Sequence, residues 1–366
     1  MPKTKKIFTS LYALFTIAAL IFTIFIYNQT NQIAPYEQDE NFSHEFIHGE
    51  IQKITTKSEE GELFQVTAND KTLTVLSSPL NNYNTYKVGD EILIYKGINN
   101  LTNETSYEVA DYYHQNGLLY IFIIFAIITL IIARKKGLTA ILSVLISLAL
   151  FYLIFLKMIT SGYSPILACL TFVVIVTLIT IPLIHGFNKK SLSAITAILI
   201  GYTISILISL LFNSLAQLGN TPGEEFRMLG IMYPNIGLSD ILIASLFMGA
   251  IGALIDTAIS IASAVFEAIK EHSKQTFKTI YKIGMEVGKD VLGSMINTLL
   301  FAYLASALPF LILLSLSQGS TLSELINMDF IALELTRTFI GAISLVILIP
   351  IVSSISAYFF TKSKKA

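Results

Sequence analysis

Charge is scarce in this sequence. Only 13% of its 366 residues are Asp, Glu, Lys or Arg, against roughly a quarter in a soluble globular domain, and that deficit excludes an ordinary soluble enzyme. Tryptophan is absent, so any aromatic belt at a membrane boundary has to come from the 17 tyrosines and 24 phenylalanines. The single cysteine, Cys169, excludes an intrachain disulfide and a cysteine-based metal cluster. Lying in an apolar run, it is expected as a small buried hydrophobe. The five histidines (His44, His48, His114, His185, His272) are scattered, and neither an HExxH pair nor a phosphate-binding loop occurs. No metal, cofactor or ATP-driven chemistry is therefore expected.

What fills the space is hydrocarbon. Hydrophobic residues make up 54% of the chain and mean hydropathy is +0.68, the composition of a multi-pass membrane protein. Lys3, Lys5 and Lys6 precede an apolar run from Ile7 to Tyr27, and the following IFIYNQTNQ offers no small-x-small cleavage site. Residues 1–27 therefore read as an uncleaved signal anchor with a cytoplasmic N-terminus, the competing reading being a removed signal peptide. Residues 28–117 are polar and β-forming. HEFIHGEIQKI, ELFQVTAN, KTLTVLS and DEILIYKG have strand lengths and are separated by Gly and Asn turns, with Val88-Gly89-Asp90 leading tightly into the last. Four to six such strands imply a small barrel, OB-like, or a sandwich. The segment is mildly acidic, with no aromatic and basic face for nucleic acid. His44 and His48 fall on one side of a strand but lack a third metal ligand, and two solvated histidines are expected.

Seven further apolar segments run approximately over 118–133, 138–156, 164–184, 191–212, 240–267, 291–314 and 331–360, most of them near the length a spanning helix needs. With the N-terminus inside, sixteen of the 24 basic residues fall in five short cytoplasmic pieces, from Lys3 through Arg134–Lys136, Lys189–Lys190 and Lys270–Lys289 to Lys362–Lys365. The expected fold is thus an all-α polytopic membrane protein of eight transmembrane helices with a small extracytoplasmic β domain, barrel or OB-like, after the first helix. Its divisions are 1–27, 28–117 and a seven-helix domain over 118–366, both termini being cytoplasmic. Residues 213–239 read as an outer loop. In 268–289, lysines recur every four positions from Lys270 to Lys282, which suits either a helix along the anionic inner leaflet or a solvated helical hairpin.

Polarity inside the apolar segments is concentrated in the last three. Gly249, Gly252, Asp256, Ser260, Ser263 and Glu267 follow each other at three- and four-residue steps, as do Glu286, Asp290, Gly293 and Asn297, and then Glu334, Arg337, Gly341 and Ser344. Such spacing puts each set on one helix face. An ionisable group inside a bilayer is expensive, so Asp256 in mid-segment marks a candidate functional site. The expectation is one buried seam, with Asp256, Ser260, Ser263, Glu267, Asp290, Asn297, Glu334 and Arg337 lining a polar path. Gly249, Gly252, Gly293 and Gly341 would let the helices approach closely. The structural alternative is that these residues only lock the bundle through interhelical hydrogen bonds.

Known catalytic patterns do not fit. Glu224-Glu225-Phe226-Arg227 lies in a loop with the wrong arginine spacing for a membrane protease, and Gly288-Lys289-Asp290 lacks the second glycine of a GxGD site. The blocks GAIGALIDTAISIASAVFE, VGKDVLGSMINTLLFAYLASALPFLILL and ELTRTFIGAISLVILIP, in that order, resemble the YibE/F family of bacterial membrane proteins. The N-terminal anchor and external β segment are similar to its longer, YibE-like type. Ile255-Asp256-Thr257-Ala258 departs mildly from the family's Met-Asp-Val-Ala, and Asp290 follows Lys289 rather than Arg; neither change removes a charge. The resemblance implies a permease-like protein of the bacterial plasma membrane, with a shorter YibF-like subunit or self-association as partner. It supplies no substrate. A non-enzymatic transporter of a cation, proton or small solute is the leading expectation. The alternative is a non-transporting assembly or envelope-sensing protein whose β domain binds a partner.

Overall fold

A computed structural model of the chain describes residues 42–58, 61–77, 85–102, 104–216, 224–232, 236–271, 276–316 and 321–362. The expected anchor at 1–27 lies outside the described residues. The rest falls into two compact units, one within Ala34–Leu138 and one within Thr139–Ala366.

The first unit opens with five strands: β1 (Phe42–Ser58), β2 (Gly61–Ala68), β3 (Lys71–Ser77), β4 (Glu91–Asn99) and β5 (Glu104–Tyr112). They close in the order β1-β2-β3-β5-β4. Of the two β architectures expected, the barrel is the one formed. The 17-residue β1 makes closure possible, because it pairs antiparallel with both β2 and β4. Register shifts at Ile51/Lys53 and Ile54/Thr56 bend it between the two partners. The parallel contact Leu76↔Glu108 joins β3 to β5. Alternate residues point inward, so Ile51, Phe64, Val66, Val75, Ile92 and Ile94 form a core closed to solvent. Gly49 is needed where β1 crosses β2, since a Cβ there would stand 2.6 Å from Val66 Cγ1.

The remaining elements are α1 (Gln115–Leu150), α2 (Pro165–His185), α3 (Lys189–Ala216), α4 (Glu224–Met232), α5 (Leu238–Met248), α6 (Ile251–Glu271), α7 (Phe277–Leu316), α8 (Leu322–Ile326) and α9 (Asp329–Lys362). α1 continues through a π-helical stretch at Phe151–Leu156 into a last turn at Lys157–Thr160. Among the described residues, six helical runs are long and apolar enough to cross a membrane. The second and third expected segments share one of them, Gln115–Thr160. That run is not a rod. Arg134 takes φ 50°, ψ −122°, and a Cβ on Gly137 would lie 2.5 Å from Thr129 O. Eight residues of continuous helix would separate those positions by about 12 Å, so α1 is two helices joined at a sharp break.

Three other segments gain detail. The expected outer loop 213–239 contains α4. Of the basic connector 268–289, the described residues are the end of α6 and the first turns of the 40-residue α7, which fits the helical hairpin of the two readings and not a separate surface helix. The 240–267 segment is two helices, α5 and α6, parted at Gly249–Ala250.

The second unit is built around α9, which packs on α3, α5, α6 and α7. Its buried Leu345, Leu348, Ile349 and Val352 supply hydrocarbon. The hydroxyls of Ser344 and Ser353 are satisfied within the helix, donating to the carbonyls of Ile340 and Ile349 at 2.7 Å each. Small residues set the spacing of its neighbours. A Cβ on Gly284 of α7 would meet Ser353 Oγ at 2.7 Å, and one on Gly201 of α3 would meet Leu348 at 2.7 Å. Gly288 faces Ile349 in the same way.

Candidate functional site

Glu334 and Arg337 stand one turn apart on α9, with side chains only 7% and 17% exposed. Arg337 Nη1 donates to Glu334 Oε1 at 2.7 Å, and Nη2 donates to Ser245 Oγ of α5 at 3.0 Å. Ser245 Oγ in turn donates a hydrogen bond to the carbonyl of Leu242 at 2.7 Å. The guanidinium carbon lies 5.6 Å from the ring centre of Tyr303 on α7, within cation–π range. Three helices thus converge on one ion pair.

Tyr303 enters because of a missing side chain. Its hydroxyl occupies the space a Cβ on Gly249 would fill, so the phenol points at the gap between α5 and α6. There Ala250 N–H bonds Phe247 O at 3.2 Å in a three-residue turn, and the four-residue ladder resumes with Leu254 N–H to Ala250 O at 3.0 Å. The site therefore sits at an interruption in an otherwise continuous apolar run, Leu238–Lys270.

The ion pair is only half satisfied. Glu334 Oε2, Arg337 Nε and Tyr303 Oη are all buried without a protein partner, three of six such atoms among the described residues. Each unsatisfied buried group costs on the order of 1–3 kcal/mol. Their concentration gives a pocket of chemistry with one acceptor, one donor and one hydroxyl that can do either, around a pair whose formal charges cancel. That set suits a bound water or a small solute able both to donate and to accept.

The other expected site residues are placed elsewhere. Gly252, Asp256 and Ser260 are exposed on α6, Ser263 is half-buried, and Glu267 is exposed with Lys270 Nζ at 3.0 Å. On α7, Asp290, Gly293 and Asn297 are exposed, and Glu286 faces Lys282 at 3.7 Å. The expected single seam with Glu334 and Arg337 is not formed. The reason is angular: α6 turns Leu254, Ala258, Ile261 and Val265 inward, and α7 turns Gly284, Gly288 and Leu299 inward. Each polar stripe is offset by two residues, about 200° of helix, from the inward one. Of the four packing glycines, Gly249 and Gly341 do meet a neighbouring helix, the latter against Leu299 and Ala250. Gly252 and Gly293 face open space.

Neither Ser245 nor Tyr303 follows from the spacing of the charged residues. Stepping the stripe one turn back from Gly249 would have reached Ser245. The phenol within the apolar LLFAYLASALPF was the only hint of Tyr303. In the barrel, His44 stacks on Tyr95 at 5.7 Å, and His48 lies 3.9 Å from the Tyr113 ring and 3.7 Å from Glu91 Oε2. Among the described residues no three His, Cys, Asp or Glu side chains gather as a metal site. Cys169 is buried against the Tyr202 hydroxyl at 3.0 Å.

No curated protein and no solved structure matches the chain. Residues 121–362, which hold the whole buried ion-pair site and more than half of the sequence, match the family described as YibE/F-like protein, and the chain belongs to that family.

Proposed function

We propose that this protein is a permease-like transport protein of the bacterial plasma membrane, working at the Glu334–Arg337 site. The observation that carries the reading is the half-satisfied buried ion pair beside the α5–α6 interruption. Broken spanning helices are where transporters commonly expose the polar groups that hold a solute. In this reading the chain crosses the membrane eight times with both termini cytoplasmic and the barrel outside. Its own side chains bind and release solute rather than perform a reaction. The neutral pair favours a net-neutral or zwitterionic solute over a bare cation, because a lone charge would find no net opposite charge there.

Comparing the small-molecule and ion content of cells lacking the protein with cells carrying wild type or Glu334→Gln tests this. Transport predicts that at least one solute changes on deletion, is restored by wild type, and is not restored by a Glu334→Gln protein present in the membrane at wild-type level. Full restoration by Glu334→Gln would remove the site from the mechanism.

The second reading, an assembly protein, is favoured by a different observation: the outward stripe of Asp256, Ser260 and Asn297 on the spanning runs. A second copy or a shorter YibF-like subunit would cover it.

A further inference from the structure

The Glu334–Arg337 site is shut toward the end of the bundle where α5 and α9 begin. Ser245 and Arg337 lie two turns inside those helices, roughly 10–12 Å from their first residues. Leu242 stands one turn before Ser245, and Leu333 one turn before Arg337. With Leu246 and Ile340 they form a buried apolar cluster separate from the main core. Ile208 and Phe212 of α3 and Phe226 of α4 pack against it. We propose that α4 is a lid over the site, latched by Phe226 on this apolar plug, and that solute enters from the outer side when the latch lifts. The proposal rests on the transport reading for the solute and for which side is outer; the closure itself is read from packing.

Glu334 and Arg337 are already nearly sealed by their surroundings, so a polar solute reaches them only if an apolar side chain moves aside. Most of the plug is held firmly. α3, α5 and α9 belong to long apolar runs, and close contacts such as Gly341 on Ala250 and Gly201 on Leu348 fix them to their neighbours. Parting any of them would disturb the main core.

α4 is the exception. It has nine residues, too few to be a stable helix without support. One face supplies that support: Phe226 on the plug, half-buried Leu229, and Gly230 against the first residue of α5, where a Cβ would stand 2.8 Å from Leu238 Cδ1. The other face carries Arg227, Met228 and Ile231, all exposed. An element held by so little buried surface opens locally at far smaller cost than the bundle beneath it. Lids that exclude water from a site and lift to admit solute are drawn from such elements.

The test reads access to the plug, not solute content. In a Cys169→Ala background, Leu242→Cys places one thiol beneath the latch, and Val352→Cys places a control thiol in the main core. A charged, membrane-impermeant methanethiosulfonate is applied to right-side-out and to inverted native vesicles. The expected result is slow labelling of Leu242→Cys that Phe226→Ala accelerates about tenfold or more from the outer side alone, with Val352→Cys unmoved. Phe226→Leu, which keeps apolar bulk on the plug, should label within about twofold of the parent. No acceleration by Phe226→Ala, an equal acceleration of the control, or acceleration from the inner side overturns the lid. Hydrogen exchange of the unsubstituted protein needs no variant to fold: α4 amides should exchange about a hundredfold faster than those of residues 242–246, and equal protection overturns the proposal. Neither measurement follows solute movement, so the lid can fail while Glu334→Gln still abolishes transport, and the reverse.

Discussion

At the scale of single residues, Arg337 is held by its own helix and by two neighbouring ones. It bonds Glu334 and Ser245 and faces Tyr303, so its removal leaves a carboxylate buried without a countercharge. Breaking one member of a buried pair typically costs about 3–5 kcal/mol, whereas replacing both by apolar residues is often nearly neutral. Arg337→Met should therefore lower thermal stability in detergent sharply. Glu334→Met/Arg337→Met should recover most of it while remaining inactive in the solute assay. A double variant as unstable as the single one would mean the residues act separately. The pair itself was legible in the sequence, because opposite charges three residues apart in an apolar run can meet on one helix. Its partners were not, because Ser245 and Tyr303 arrive from other helices and their register depends on packing.

Helices and their junctions were legible to a different depth. Among the described residues the apolar lengths located each long helical run, but not the interruption at Gly249–Ala250, since a lone glycine inside a helical pattern is tolerated at a cost of about 1 kcal/mol and does not by itself mark a break. Periodicity found the right stripes on α6 and α7 yet could not say which face turns inward. Polar residues three and four apart look alike whether they point to a core or away from it. Glycine discriminates. On α7, a Cβ at Gly288 would run into Ile349 and Ile261, while one at Gly293 would meet nothing. Gly288→Ala should cost about 1–3 kcal/mol by forcing α7 from α9. Gly293→Ala, five residues further on, should be neutral or stabilising by up to about 1 kcal/mol through helix propensity. Thermal unfolding of the two purified variants checks the pair, and equal losses would contradict the register of α7 on α9.

For the molecule as a whole, the outward face of α6 and α7 is where polar residues stand exposed on long apolar helical runs. Asp256 sits mid-way along the Leu238–Lys270 run and is exposed, with Ser260 on its own helix face and Gly293 and Asn297 exposed on α7. Against lipid, a carboxylate at such depth costs about 2.5–3.5 kcal/mol on insertion scales. A chain carrying that cost without compensation would gain from losing it, so the assembly reading gives two opposed signs for one substitution. Asp256→Leu should raise the thermal stability of the isolated protein in detergent. In native membranes it should reduce the yield of crosslinked complexes between this chain and its neighbour, because the apolar face no longer needs a polar cover. If complexes persist undiminished while stability rises, the stripe contributes nothing to assembly. If stability falls instead, Asp256 makes contacts within its own chain and its outward placement on α6 is the statement that fails.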